Sequence, residues 1–357
     1  NGTDGDGASA DPHLRDDAQR TRHASSMRSR WLALAAIVGL GLAGCAHAGA
    51  DRLIEAWSPG TWLGAPSRYA VYVPPGFRSD ERLPLVVLLH GAGNDERTFA
   101  RSGVAAALDA AIEAGKVPRV VILLPRGDDG FWIDWYDHSR RYEAWILGEL
   151  IPAVSRRYHT LPCPSSCHVM GVSMGGYGAL RFALRYPRRF ASATALSSPI
   201  FDTEQMLAIR SNPFLNAFVP MERIFGPVTP RARIARWDPF LRWQTPDDLR
   251  GIRLRLGWAT DDGPGIRKGN ARLVKHLRAA GIPVEVDRFA GHHGWAAWTP
   301  AILDSLRAAV AGTTPRAAVV APDASPPASA QATGDVAASA TTSRSPSNGL
   351  VSRGLPP

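Results

Sequence analysis

Cysteine is scarce in this chain, with three in 357 residues, and lysine is rarer than arginine by a wide margin among 41 basic side chains. So few cysteines exclude a small disulfide-dense scaffold, and stability must come from a buried core. The formal charge is +9, yet no Lys/Arg block and no nucleic-acid motif occur. Nucleic acid is therefore not an expected partner, and the charge reflects an arginine-rich composition that suits a site near an anionic membrane. No internal repeat is visible. What is present is a 45% hydrophobic fraction, ample for one large α/β core.

Residues before Met27 are Gly, Asp, Ala and Arg without periodicity, and read as a disordered or upstream extension. Met27 is a candidate initiator. Arg28 and Arg30 then precede an apolar run from Trp31 to Leu42, too short for a comfortable membrane span. The run closes in Leu42-Ala43-Gly44-Cys45. This is the order of a secretory signal peptide, and its closing tetrapeptide resembles a bacterial lipobox. Residues 1–50 are thus expected to be an address, with Cys45 lipidated and the protein exported and membrane-anchored. Export implies an oxidising compartment, where Cys163 and Cys167 are expected to form a structural disulfide around a Pro-Ser-Ser turn. A metal site would need more ligands than that turn offers.

Along the remaining chain, strand and helix patterns alternate. Tyr69–Val73 alternates like a strand, and Leu83–Leu89 and Val120–Leu124 are continuous apolar runs suited to strands covered on both faces. Further strands are expected at Phe190–Leu196, Ile252–Trp258 and Val284–Phe289. Helices are expected over Val104–Ala114, over Tyr142–Tyr158 with a break at Pro152, over Asn270–Ala280 and from Pro300 to Ala311. Residues 198–249 hold no single period and read as a lid-like helical insertion. After Gly312 the chain is Ala, Ser, Thr and Pro, read as a disordered tail over 313–357. The alternation predicts one α/β domain over 51–312, with a mostly parallel sheet and helices on both faces.

The chemistry centres on Gly171-Val172-Ser173-Met174-Gly175. Apolar residues precede it and a small-residue helix pattern follows, as in a strand–turn–helix that lifts a serine hydroxyl out of the sheet. The Met174 amide would then point at a forming oxyanion. A second donor is expected from the Gly91-Ala92 turn after the Leu83–Leu89 strand, with His90 orienting that loop. Serine needs a base, and the base needs a carboxylate. Asp261 or Asp262 follows the Ile252–Trp258 strand, and His292 or His293 follows the last strand. The loop Gly130–Asp137 gathers aromatics, of which Trp132, Trp135 and Tyr136 are candidates for substrate contact or for core packing.

Gly171-Val-Ser-Met-Gly-Gly-Tyr-Gly-Ala-Leu180 resembles the elbow of the esterase D-like hydrolases, which include feruloyl and acetyl-xylan esterases, S-formylglutathione hydrolase and the mycolyltransferases. Leu88-Leu-His-Gly91, Glu149-Leu-Ile-Pro152 and Gly291-His-His-Gly-Trp-Ala-Ala-Trp298 extend the likeness. The resemblance implies an α/β-hydrolase fold and an acyl-ester hydrolase working through an acyl-enzyme, with no metal or organic cofactor. It assigns the base to His293 and, by the best register, the acid to Asp262, with Asp261 as the alternative. Small-molecule or saccharide esters are the implied substrates. Acyl transfer to an alcohol acceptor and a non-catalytic anchored binding protein are the rival readings.

Overall fold

The computed structural model describes residues 2, 52–212, 221–227, 231–241, 249 and 251–311. The expected signal segment, Cys45 and the 313–357 tail lie outside the described residues.

Aliphatic runs without helical period form the centre of an eight-stranded sheet. The strands are β1 (Leu53–Ser58), β2 (Ser67–Tyr72), β3 (Leu85–Leu89), β4 (Val121–Pro125), β5 (Cys167–Val172), β6 (Ser192–Leu196), β7 (Arg253–Ala259) and β8 (Val284–Phe289). Their order in the sheet is β1-β2-β4-β3-β5-β6-β7-β8. β2 runs antiparallel to both β1 and β4, and every other pairing is parallel. Alternation along β3 divides the core: Leu85, Val87 and Leu89 pack on one face, Val86 and Leu88 on the other. β1 escaped the sequence reading because its burial is mixed, as befits an edge strand, and its Trp57 is 67% exposed.

The helices are α1 (Thr98–Arg101), α2 (Val104–Glu113), α3 (Tyr142–Trp145), α4 (Ile151–Arg157), α5 (Met174–Arg185), α6 (Thr203–Ser211), α7 (Met221–Phe225), α8 (Arg231–Ala235), α9 (Pro264–Ala279) and α10 (Trp295–Val310). α2 and α10 cover one face of the sheet, and α3, α4, α5 and α9 cover the other. Between α3 and α4 lies a π-helical turn, Ile146–Leu150. Pro152, in the first turn of α4, cannot donate to the preceding turn, and the chain widens just ahead of it. Inside that turn the Glu149 carboxylate accepts the Gly60 and Thr61 amides, each at 3.0 Å.

Two helix starts correct the sequence reading. α9 begins at Pro264, not Asn270, because proline fits the first helical position, where its missing N–H leaves nothing unpaired. α10 begins at Trp295, directly after Gly294, and carries Pro300 within it rather than starting there. The insertion 198–249 does contain short helices, α6 to α8, among its described residues. Its Trp237 anchors it to α5: the Tyr177 hydroxyl donates to the Trp237 carbonyl at 2.8 Å, and the Arg181 guanidinium lies 3.7 Å from the Trp237 ring centre. Cys163 and Cys167 form a disulfide that closes the turn before β5.

Candidate active site

The turn from β5 into α5 is as tight as its glycines imply. A β-carbon on Gly171 would sit 2.1 Å from the Gly175 carbonyl oxygen, and one on Gly175 would sit 2.0 Å from that of Leu89. Neither contact is possible, so only glycine lets strand and helix close on each other. Between them Ser173 adopts φ 53° and ψ −123°, in the left-handed half of the map where a side chain is strained. That strain turns the hydroxyl out from the sheet. The Ser173 amide is tied to the Leu196 carbonyl of β6 at 2.8 Å, so the neighbouring strand holds the turn in place.

The Ser173 Oγ lies 2.9 Å from His293 Nε2, and His293 Nδ1 lies 2.6 Å from Asp262 Oδ1. His293 follows β8 and Asp262 follows β7, so two adjacent strand ends present the pair. Asp262 is buried and His293 is partly open to solvent. Asp261 is exposed and gives its amide to the Gly291 carbonyl at 2.9 Å, so of the two neighbouring acids Asp262 faces the histidine. Burial opposes the charge on Asp262. Hydrogen bonds from His293, Ser197 and the Ala259 amide outweigh it and hold the carboxyl below the ordinary carboxylate pKa.

Ser197 was not singled out from sequence. It has φ 49°, donates to Asp262 Oδ2 at 2.7 Å and accepts Trp298 Nε1–H at 3.0 Å. The Trp298 ring also meets the His293 imidazole edge-on, with centres 4.8 Å apart. One tryptophan of α10 therefore braces both the histidine and, through Ser197, the acid. The advance signal was Trp298 itself, five residues after His293 in Gly291-His-His-Gly-Trp-Ala-Ala-Trp298.

Met174 opens α5, and the first amides of a helix have no partner within it, so its N–H is free for a ligand. The Gly91-Ala92 turn stands opposite: a β-carbon on Gly91 would meet the Ser173 Cβ at 3.3 Å. His90 holds this turn. Its Nδ1–H donates to the Gly91 carbonyl at 2.9 Å, while Nε2 accepts the Gly127 amide at 3.0 Å. Burial lowers the pKa of this imidazole, keeping it neutral in that tautomer.

The aromatic loop divides between its two expected readings, substrate contact and core packing. Trp132 is fully buried, so it is a core residue and not a cleft wall. Its ring fills the space left by Gly127 and Gly178, where a β-carbon would fall 2.4 Å and 2.6 Å from it, and its Nε1–H donates to the His90 carbonyl at 3.3 Å. Trp135 packs on the core beside Tyr142, with Arg223 of α7 over its ring. Tyr136 alone stays exposed, at 43%, and lies against Gly226 and Arg233 of the insertion. Among the described residues no cluster of His, Cys, Asp and Glu is placed to hold a metal, and no helix is long and apolar enough to cross a membrane.

The mostly parallel sheet, with Ser173, Asp262 and His293 at the carboxyl ends of β5, β7 and β8 in that chain order, places the molecule among the α/β-hydrolases. Within them the chain belongs to the Esterase family, whose model matches residues 61–309. An esterase of Mycobacterium tuberculosis is 27% identical over 258 residues, which is 66% of this chain and 53% of that one. This chain thus spans about half the length of that relative. An acetyl esterase of Caldicellulosiruptor saccharolyticus is 24% identical over 63% of this chain and 83% of its own. Among solved structures, a ferulic acid esterase superposes with a TM-score of 0.61 at 19% identity, covering 73% of this chain and 98% of that one. A fluorophosphonate-binding serine hydrolase of Staphylococcus aureus gives the same score at 23% identity, over 72% and 98%.

Proposed function

We propose that the protein is a serine esterase that hydrolyses carboxylic acyl esters of small or saccharide alcohols through an acyl-enzyme. The reading rests on one observation, the continuous hydrogen-bonded chain Ser173–His293–Asp262. In it Ser173 attacks the ester carbonyl while His293 takes the hydroxyl proton, and Asp262 orients the imidazole and offsets its developing charge. The Met174 amide and the Gly91-Ala92 turn receive the oxyanion. Collapse of the tetrahedral adduct expels the alcohol, which takes the proton from His293. Water then repeats the sequence on the acyl-serine and frees the acid. The acetyl and ferulic acid esterases among the similar proteins support ester substrates.

The test is hydrolysis of p-nitrophenyl acetate and butyrate by wild type, Ser173→Ala and His293→Ala. Both variants should lose activity, and a fluorophosphonate probe should label wild type but not Ser173→Ala. A wild type no faster than Ser173→Ala sinks the reading. Adding alcohol acceptors to the same assay separates hydrolysis from acyl transfer by the product formed. We further propose export and anchoring through Cys45, supported by the order of Arg28, Arg30, the apolar run and Leu42-Ala43-Gly44-Cys45. Cys45→Ala should move the protein from the membrane fraction to the soluble one, and unchanged partition would count against the anchor.

A further inference from the structure

A cavity of about 460 Å³ opens between the first half of α9 and the carboxyl ends of β7 and β8. Arg267, Lys268 and Arg288 line it together with Trp258 and Thr260. Three cations thus meet at one concave surface, and none of them pairs with a carboxylate among the described residues. Elsewhere on the molecule arginines are commonly paired: Arg255 with Glu285 and Asp287, Arg272 with Asp202, Arg119 with Glu81.

Neutral groups hold the two cavity arginines instead. The Arg288 guanidinium lies over the Trp258 ring, 5.3 Å from its centre, and Arg267 Nη1 donates to the Thr260 carbonyl at 3.2 Å. Each keeps its full charge and most of its donors, and each is already positioned. No acid on α9 can neutralise them, since the helix contains neither Asp nor Glu from Pro264 to Ala279. Of the acids nearest along the chain, Asp262 pairs with His293 and Asp287 with Arg255, and neither makes an ion pair with any of the three.

We propose that this cavity binds a phosphate-bearing ligand, with the phosphate held by Arg267, Lys268 and Arg288. Three positive charges lining one cavity favour a dianion, and guanidinium forks and an ammonium together suit the tetrahedral oxygens of a phosphate. The cavity exceeds a bare phosphate in size, so it also accommodates part of the group that carries it. The site lies outside the Ser173–His293–Asp262 chain and does not depend on the esterase reading. The phosphate has two possible sources, a soluble phosphomonoester or an acidic lipid headgroup.

Calorimetric titration of the full chain with inorganic phosphate and glycerol phosphate tests the first source. Sedimentation with phosphatidylcholine vesicles, with and without phosphatidic acid, tests the second. Binding in either arm should weaken by about 10-fold or more in the Lys268→Ala/Arg288→Ala double variant. Lys268→Arg, which keeps the charge, should retain it. Thermal melting checks that each variant is folded, and Lys268→Gln alone serves if the double variant is not. Failure to bind in both arms, or equal affinity in wild type and a folded charge-removed variant, overturns the proposal.

Discussion

The hydroxyl of Ser197 stands 2.7 Å from Asp262 Oδ2, on the opposite oxygen from the one that faces His293. Asp262 is thus held at both oxygens, and its charge is shared among three donors in a buried setting. A hydrogen bond to a charged acceptor contributes about 1.5–3 kcal/mol. Ser197→Ala should therefore lower kcat/KM for p-nitrophenyl acetate by about 10-fold or more. Trp298→Phe, which removes the N–H but keeps the ring against His293, should show a smaller loss of the same kind. Unchanged kcat in both would mean that the bracing has no part in turnover.

Asp262 and Asp261 are neighbours with opposite surroundings. Asp262→Asn should reduce kcat by about three orders of magnitude or more, because the amide imposes the wrong imidazole tautomer. Asp261→Asn, altering an exposed side chain, should change kcat by less than about threefold. The reverse ranking would move the acid role one residue back.

Trp132 links the loop that follows β3 to the helix that follows Ser173. Gly178→Ala would drive a methyl into its ring and should destabilise the fold by about 1–3 kcal/mol. For a domain of this size, that lowers Tm by several degrees, read by calorimetry. Trp132→Phe, by freeing the His90 carbonyl, should lower kcat more than it changes KM.

His168 lies in β5 with its Nδ1 2.8 Å from the Ser192 hydroxyl, and burial followed by the nearby Arg253 charge pulls its pKa down to about 4. Its ordinary value is 6.5, so between those limits the unfolded chain takes up a proton that the folded chain refuses. The neutral imidazole costs no stability above pH 6.5, and stability falls as pH drops from 6.5 towards about 4, by about 3 kcal/mol at most. Urea midpoints of wild type and His168→Gln should diverge across this window, with the wild type losing more. Parallel curves would remove His168 as the cause.

Buried Arg181 pairs with buried Glu143, which also accepts the Tyr186 hydroxyl at 2.9 Å. Arg181→Met would leave the buried Glu143 carboxylate to the partly exposed Arg185, at 3.2 Å, and should cost up to about 3–5 kcal/mol. Arg181→Met with Glu143→Leu should recover much of that loss in a urea titration. Equal destabilisation of single and double variants would show that packing, not charge, decides the effect.

Much of this site was legible because its demands are local. The Ser173 turn requires glycines at fixed offsets, and the strands before Asp262 and His293 show themselves by alternating apolar and charged residues. The expected parallel sheet with helices on both faces agrees with the structure for the same reason. Ser197 was not legible because its role comes from pairing across the sheet: its amide donates to the Gly257 carbonyl of β7 at 2.7 Å, which aims the hydroxyl at Asp262. Sequence leaves Trp132 open between substrate contact and core packing, because only the fold brings Gly127 and Gly178 together to hollow out its seat. The starts of α9 and α10 were misplaced because Pro264 and Pro300 look alike in sequence yet sit at the first and sixth positions of their helices.

Ser173 and His293 are 120 residues apart, and their meeting requires β6 and β7 to be laid between β5 and β8. Contacts of such long range form only after the intervening chain has been ordered, which places them late on the way to the native state. A refolding chain should therefore recover its helical signal well before it turns over an ester, and a partially assembled sheet holding β5 without β8 would expose a strained serine with nothing to take its proton.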